Sequence, residues 1–280
     1  MKLDLPKFDL NRITPFSTIV LIGKRNTGKS VLVTDIIHRF KDMSAIVVMS
    51  GTEAGNRHFQ QYVPDSFVYN DYNPDAIASI IKRQTMLIDK GMSREQISIL
   101  VVLDDCSYDK NVLNRDKNLR FMFMNGRHLG ITTLLTTQYA MDISSGLRYN
   151  IDYVFAFKDN TFTNKERLYK NFFGVFNKAK DFYTVFDQIA VGYDCIVLDN
   201  TSRSNKISEQ IAWFRATLRP PGSFIFGTKD IWRAHERMYR RDGSRSTDSM
   251  NNECKDYETQ NRGSSGLTVN KKEHIRSTIF

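Results

Sequence analysis

The chain has 280 residues, 41% of them hydrophobic and 25% charged, a composition that excludes a fibrous or wholly disordered polymer and allows one large α/β domain or two small ones. Its 40 Lys and Arg against 31 Asp and Glu give a formal net charge of +9, which favours a polyanionic partner. Three widely spaced cysteines argue against a disulfide framework or a zinc knuckle, and no stretch has the length and apolarity of a signal peptide or membrane span, so a soluble intracellular protein is expected.

The opening MKLDLPKFDLNR breaks its apolar positions with charges and reads as a lead-in. FSTIVLI (16–22) is the first nearly continuous apolar run, the pattern of a parallel strand buried on both faces. GKRNTGKS follows at once and fits the phosphate-loop pattern G-x-x-x-x-G-K-[ST]. Backbone N–H groups must converge on a phosphate without side chains in the way, hence glycine at both ends of the loop. SVLVTDIIHRF then supplies a helix whose positive dipole end faces the same anion. On this reading Gly23, Lys24, Asn26, Thr27, Gly28 and Val31 shape the cradle. Lys29 reaches the β- and γ-phosphates, and the Ser30 hydroxyl ligates Mg²⁺.

A second apolar run, SAIVVMS (44–50), precedes a long polar-rich segment, 51–75, which is the candidate for a pore loop. The helical NPDAIASIIKRQTMLIDKG comes next, and then SILVVLD (98–104), which ends in two carboxylates. Asp104, at the end of the run, would hold the Mg²⁺ shell. Asp105 points elsewhere, where it would polarise an attacking water. NGRHLGITTLLTTQ contains Arg127, a fourth strand (131–137) and Gln138. At a subunit interface Arg127 could reach a neighbour's γ-phosphate, with Arg148 in GLRYN as the competing arginine. DYVFAFK (152–158) is a fifth strand, while YDCIVLDN (193–200) and ISEQIAWFRA (207–216) extend the sheet or form an edge hairpin.

Strand–helix alternation predicts a parallel sheet with helices on both faces. Counted from the loop strand, the carboxylates end the third strand and TTQ ends the fourth. That spacing suggests the additional-strand (ASCE) class of P-loop NTPase, α/β with strand order 5-1-4-3-2. In that class the fourth strand sets a polar residue beside the γ-phosphate, here Gln138. None of the Asn-Lys dipeptides carries the Asp two positions on that guanine recognition uses, so ATP is the expected nucleotide.

Pro220-Pro221-Gly222 marks a boundary, after which KDIWRAHERMYRR is a basic amphipathic helix and the remainder is too polar to offset its ordering entropy. The expected organisation is a lead-in over 1–15, an ATPase domain over 16–220, a basic helical extension over 221–241 and a disordered polar tail over 242–280.

Together GKRNTGKS, VVLDDC, NGRHLGITTLLTTQ and LRYNIDYVFAFKD resemble the genome-packaging ATPases of large eukaryotic DNA viruses, of the poxvirus and giant-virus type, in the FtsK–HerA group of P-loop motors. The resemblance covers roughly residues 12–220 and is far more specific than the phosphate loop alone. It implies ATP hydrolysis with Mg²⁺, a homo-oligomeric ring around double-stranded DNA, and translocation of the viral genome into a capsid through a capsid or portal partner. It further implies no membrane, a location in the host cytoplasm at the virus factory, and association with the virion. Lys29 and Ser30 match the family's loop, Asp104 and Asp105 its acidic strand end, Gln138 its sensor, and Arg127 its trans-acting arginine. Many relatives carry Glu where Asp105 stands one methylene shorter, and the segment after Arg241 lies outside the match. Two other readings share the loop. One is a P-loop kinase or phosphotransferase, although no lid of clustered arginines is evident. The other is a non-motor ATPase that switches a protein partner.

Overall fold

In the computed structural model, residues 3–106 and 115–238 are described. The expected tail over 242–280 lies outside them. The chain divides into two units, Met1–His235 and Glu236–Phe280, and every strand among the described residues lies in the first.

Each apolar run forms a strand within a residue or two of its expected limits: β1 (Thr18–Ile22), β2 (Ala45–Ser50), β4 (Ile99–Asp104), β5 (Ile131–Thr137) and β6 (Tyr153–Phe157). A two-residue strand, β3 (Val68–Tyr69), was not expected, while β7 (Cys195–Asp199) and β8 (Ile211–Phe214) come from the two segments assigned to a sheet extension or hairpin. The eight form one sheet in the order β3-β2-β4-β5-β1-β6-β7-β8. The five runs therefore stand in the anticipated order 5-1-4-3-2. The sheet departs from that scheme by gaining β3 beside β2 at one edge and the antiparallel β7 and β8 at the other.

Because β1 is buried on both sides, its alternate residues feed two separate cores. Ile19 and Leu21 face α1 (Lys29–Arg39) together with Phe8, Ile13 and Phe155. Val20 and Ile22 face the layer made by α2 (Pro74–Asp89), α3 (Lys117–Asn125), α4 (Phe162–Asn171) and α5 (Ala179–Ile189), through Ile77, Met122, Leu168 and Phe182. Helices thus cover both faces, as the unbroken apolar strands require. The lead-in covers the far edge: Lys7 bridges Trp213 on β8, and the Phe8 N–H donates to the Trp213 carbonyl at 2.8 Å. A further helix, α6 (Lys229–Met238), occupies the basic amphipathic stretch.

The polar-rich segment 51–75 is anchored more firmly than a free pore loop would be. Its Glu53 is fully buried and accepts the N–H groups of Phe59 (3.0 Å) and Gln60 (3.1 Å), and Phe59 and Val63 enter the α1-side core. Among the described residues, no helix is long and apolar enough to cross a membrane.

Candidate active site

In parallel strands all C-terminal tips emerge on one edge of the sheet, where crevices between loops collect ligands. The loop after β1 lies at this edge. Its first residue is tied to the neighbouring strand by Gly23 N–H donating to the Thr137 carbonyl at 3.1 Å. A Cβ at Gly23 would stand 2.7 Å from Phe157 Cβ and 2.9 Å from Thr27 Oγ1, so no side chain fits there. Asn26 (φ +60°) and Gly28 (φ +99°) take left-handed conformations, and the Thr27 hydroxyl closes the turn by donating to the Lys24 carbonyl at 2.8 Å. Helix α1 starts at Lys29, and its first internal bond here runs from Leu32 N–H to the Gly28 carbonyl (3.1 Å). The amides of Lys29, Ser30 and Val31 therefore have no partner within the helix, as in any first turn, and carry its positive dipole end.

Lys29 curls back over the loop. Its ammonium donates to the Gly23 carbonyl and, at 2.8 Å, to the Lys24 carbonyl. Burial lowers its pKa, while Asp105 and Asp104 pull it back up. The expected cradle residue Lys24 turns its side chain elsewhere. It pairs with Asp159 Oδ1 (3.0 Å) and donates to Thr161 Oγ1 (2.9 Å), leaving only its backbone to the loop. Asp159 is itself buried, which works against its ionisation, yet the Thr161 N–H, Lys24 and Asn164 hold its pKa below the usual carboxylate range.

The two carboxylates diverge, and a residue absent from the expected set binds the carboxylate of one and the backbone of the other. The Thr136 hydroxyl on β5 donates to Asp104 Oδ1 (2.8 Å) and accepts the Asp105 N–H (2.9 Å). Ser50, opposite Asp104 in the β2–β4 register, donates to its other oxygen at 3.3 Å. Asp104 is 5% exposed, and burial raises its pKa despite these hydroxyls. A desolvated carboxylate close to Lys29 and the first turn of α1 calls for a cation. Among the described residues no group of three His, Cys, Asp or Glu could hold a metal by itself. The donor set instead fits Mg²⁺, which takes one or two protein oxygens and completes its shell with phosphate and water. Asp104 and the exposed Ser30 are the residues whose side-chain oxygens would hold it.

Asp105 adopts φ +49°, a left-handed conformation that asparagine and aspartate tolerate better than most residues. This swings its carboxylate away from Asp104 and towards Gln138, whose Nε2 lies 3.1 and 3.3 Å from its two oxygens. Gln138 is set by the turn after β5, where the buried Asp142 accepts the Thr137 hydroxyl (2.7 Å) and the Tyr139 N–H (3.2 Å). Lys29, Asp104, Asp105 and Gln138 therefore meet at one edge of the sheet.

Arg127 does not join them. It lies in a 3₁₀ turn, Gly126–Leu129, before β5, at the opposite edge, with its guanidinium 3.5 Å from Asp152 Oδ1. Asp152 in turn accepts the Thr18 N–H at the start of β1 (2.8 Å). The seven residues of β5 separate this pair from Gln138, a span of about 20 Å at the usual strand rise. Arg148 donates from Nη1 to the Ile143 carbonyl at 2.6 Å.

Thr136, Ser50 and Asp142 were missed by sequence reasoning. The available signal was a run of threonines, ITTLLTT, inside a strand otherwise built for burial. Which hydroxyl meets which carboxylate depends on strand register, and no local pattern encodes that.

No protein-family model matches the chain. It is 32% identical over 244 residues to protein L437 of Acanthamoeba polyphaga mimivirus, covering 85% of each chain. It is 33% identical over 208 residues to protein 075L of Invertebrate iridescent virus 6, covering 71% of this chain and 80% of that one. Among solved structures, the fold matches the genome-packaging NTPase B204 of Sulfolobus turreted icosahedral virus 2 in complex with ATP-gammaS, with a TM-score of 0.52 and 17% identity. That match covers 75% of this chain and all of the other. At this identity the likeness is one of fold, a P-loop NTPase fold shared with a viral packaging protein.

Proposed function

The chain belongs to the protein family of large DNA viruses that includes mimivirus L437, and from that premise we propose that it is an ATPase that drives double-stranded viral DNA into a capsid. The observation that carries the reading is the meeting of Lys29, Asp104 and the Asp105–Gln138 pair at the C-terminal edge of a 5-1-4-3-2 sheet. The B204 match, with its bound ATP analogue and packaging role, supports it.

In the proposed reaction the loop amides and Lys29 grip the β- and γ-phosphates, with Lys29 exchanging its carbonyl partners for phosphate oxygens. Mg²⁺, held by Ser30 and Asp104, would supply charge neutralisation at those phosphates. Gln138 orients a water, and Asp105 accepts its proton as the oxygen adds to the γ-phosphorus. The bond to the bridging oxygen breaks, and ADP and inorganic phosphate leave. Arg127, too far from its own loop, would act on the nucleotide of the next subunit in a ring. The net charge of +9 suits sequence-independent contact with the DNA backbone. We read 16–220 as the ATPase domain, preceded by the lead-in and followed by the basic extension and tail. The capsid or portal is the docking partner and the host cytoplasmic virus factory the site of action.

The test is steady-state ATPase of the full chain with and without duplex DNA at two salt concentrations, beside Lys29→Ala. The expected outcome is stimulation by duplex that weakens at the higher salt, together with a loss of turnover of about 10³-fold in the variant. Substantial ATPase in Lys29→Ala would sink the site assignment. Wild-type turnover indifferent to DNA would leave the ATPase and remove the DNA motor, favouring activation by a protein.

A further inference from the structure

Within the proposed nucleotide site, on which this inference rests, the two flanks of β1 are unlike. The groups assigned to hydrolysis lie on the β4–β5 side: Asp104 ends β4, Asp105 follows it, and Gln138 follows β5. The γ end of a triphosphate chain must face these groups and Lys29. Its other end, carrying the nucleoside, must then leave towards β6 and β7.

On that side the loop is walled by two aromatic rings. Phe157, at the end of β6, is buried against Gly23, and the Gly28 Cβ position lies 3.7 Å from Phe157 Cε1. Tyr193 stands beside it: the same position lies 3.4 Å from Tyr193 Cδ1 and 3.6 Å from its Cβ. Unlike Phe157, Tyr193 is 65% exposed. The backbone carrying it is held. Gly192 turns the chain in a left-handed conformation (φ +63°), the Asp194 N–H donates to the Val191 carbonyl (3.1 Å), and the Asp194 carboxylate takes a two-point grip from Arg215. A large, mostly exposed ring thus stands at the rim of a phosphate cradle on a backbone that is held in place.

We propose that Tyr193 is the platform on which the purine base of the bound nucleotide stacks. An aromatic face suits the flat, weakly polar base, and the exit direction of the nucleoside leads to it. Stacking reads the ring face and not its edge, so Tyr193 contributes affinity for a purine nucleoside triphosphate without choosing between adenine and guanine.

The experiment is calorimetric titration of the full chain with ATP and, separately, with inorganic tripolyphosphate, both with Mg²⁺, for wild type, Tyr193→Ala and Tyr193→Phe. Tyr193→Ala should weaken ATP by about 10- to 100-fold, the usual worth of one base–aromatic stack. Its tripolyphosphate affinity should stay unchanged, and Tyr193→Phe should bind ATP within about twofold of wild type. Unchanged ATP affinity in Tyr193→Ala overturns the assignment, and so does an equal loss for tripolyphosphate, since the ring would then merely prop the loop. Wild type binding tripolyphosphate as tightly as ATP leaves the phosphate site standing and removes the base platform. Wild type binding neither overturns the nucleotide site and the platform with it.

Discussion

Strands β5 and β6 flank the loop strand at the same depth, yet they solve opposite problems. β5 (ITTLLTT) is buried throughout and still carries four threonines, and β6 (YVFAF) is equally buried and nearly all apolar. Two of the β5 hydroxyls meet carboxylates: Thr136 donates to Asp104 and also accepts the Asp105 N–H, and Thr137 donates to Asp142. The rings of β6 serve packing, with Phe155 edge-on to Phe8 and Phe214, and Phe157 closing on Gly23. A buried carboxylate costs several kcal/mol unless hydrogen bonds replace its water, roughly 2–7 kcal/mol even for an uncharged polar group. One flank therefore lines its strand with carboxylate-binding hydroxyls and the other gives the loop a rigid wall. Chemistry follows the hydroxyls.

If the β5 flank works as one unit, its members should fail together. Asp105→Asn and Gln138→Ala are each expected to lower kcat about 10²-fold, the usual scale for a proton-accepting or water-orienting group. Because Gln138 donates to both Asp105 oxygens, the double variant should be hardly worse than the poorer single one. Steady-state ATPase of the four proteins measures this directly. Effects that multiply would show two groups acting apart and would break the comparison at its centre.

A subtler test asks what the hydroxyls leave uncompensated. Burial raises the Asp104 pKa above its unfolded value, so folding favours the protonated form. The stability contributed by that preference is full below the unfolded pKa and is lost as pH rises through the folded one. Wherever the carboxylate is ionised it is thus a burden, and Asp104→Asn, which can keep both hydroxyl contacts, removes it. We expect Tm at pH 7.5 to rise by about 2–4 °C, as about 1 kcal/mol would give at this size, with ATPase lost. The gain should shrink as the melts are repeated at lower pH. A Tm that falls at pH 7.5 would mean that neighbouring cations already offset the charge.

The β5 flank also marks how far a sequence can be read. The loop, the acidic strand end and Gln138 were legible because each depends on a local pattern: glycine where a Cβ clashes, a carboxylate after an apolar run, a polar residue ending a strand. Sheet order followed from spacing. Thr136 was not legible as a clamp, because its partners lie 31 and 32 residues away and meet it only through the β4–β5 register. Nor was the left-handed turn at Asp105, which that clamp maintains, nor the diversion of Lys24 to Asp159 across the β6 side. Two-residue β3 is too short to leave any period in the sequence.

The smallest expected effect lies at the other edge of the sheet and separates structure from function. The Arg127–Asp152 pair spans 3.5 Å with the arginine 55% exposed, so water and salt screen it. Arg127→Ala should cost under about 1 kcal/mol, a Tm decrease within about 3 °C. Since Arg127 lies about 20 Å from its own Gln138, any larger effect on turnover must act through another copy of the chain. Mixing Arg127→Ala with Lys29→Ala protein then becomes decisive. In a ring, some interfaces of the mixture pair an intact loop with an intact arginine, and ATPase should recover partly with a maximum at intermediate mixing ratios. No recovery at any ratio, with mixed assembly demonstrated, would confine Arg127 to its ion pair and leave the γ-phosphate to the groups of one subunit.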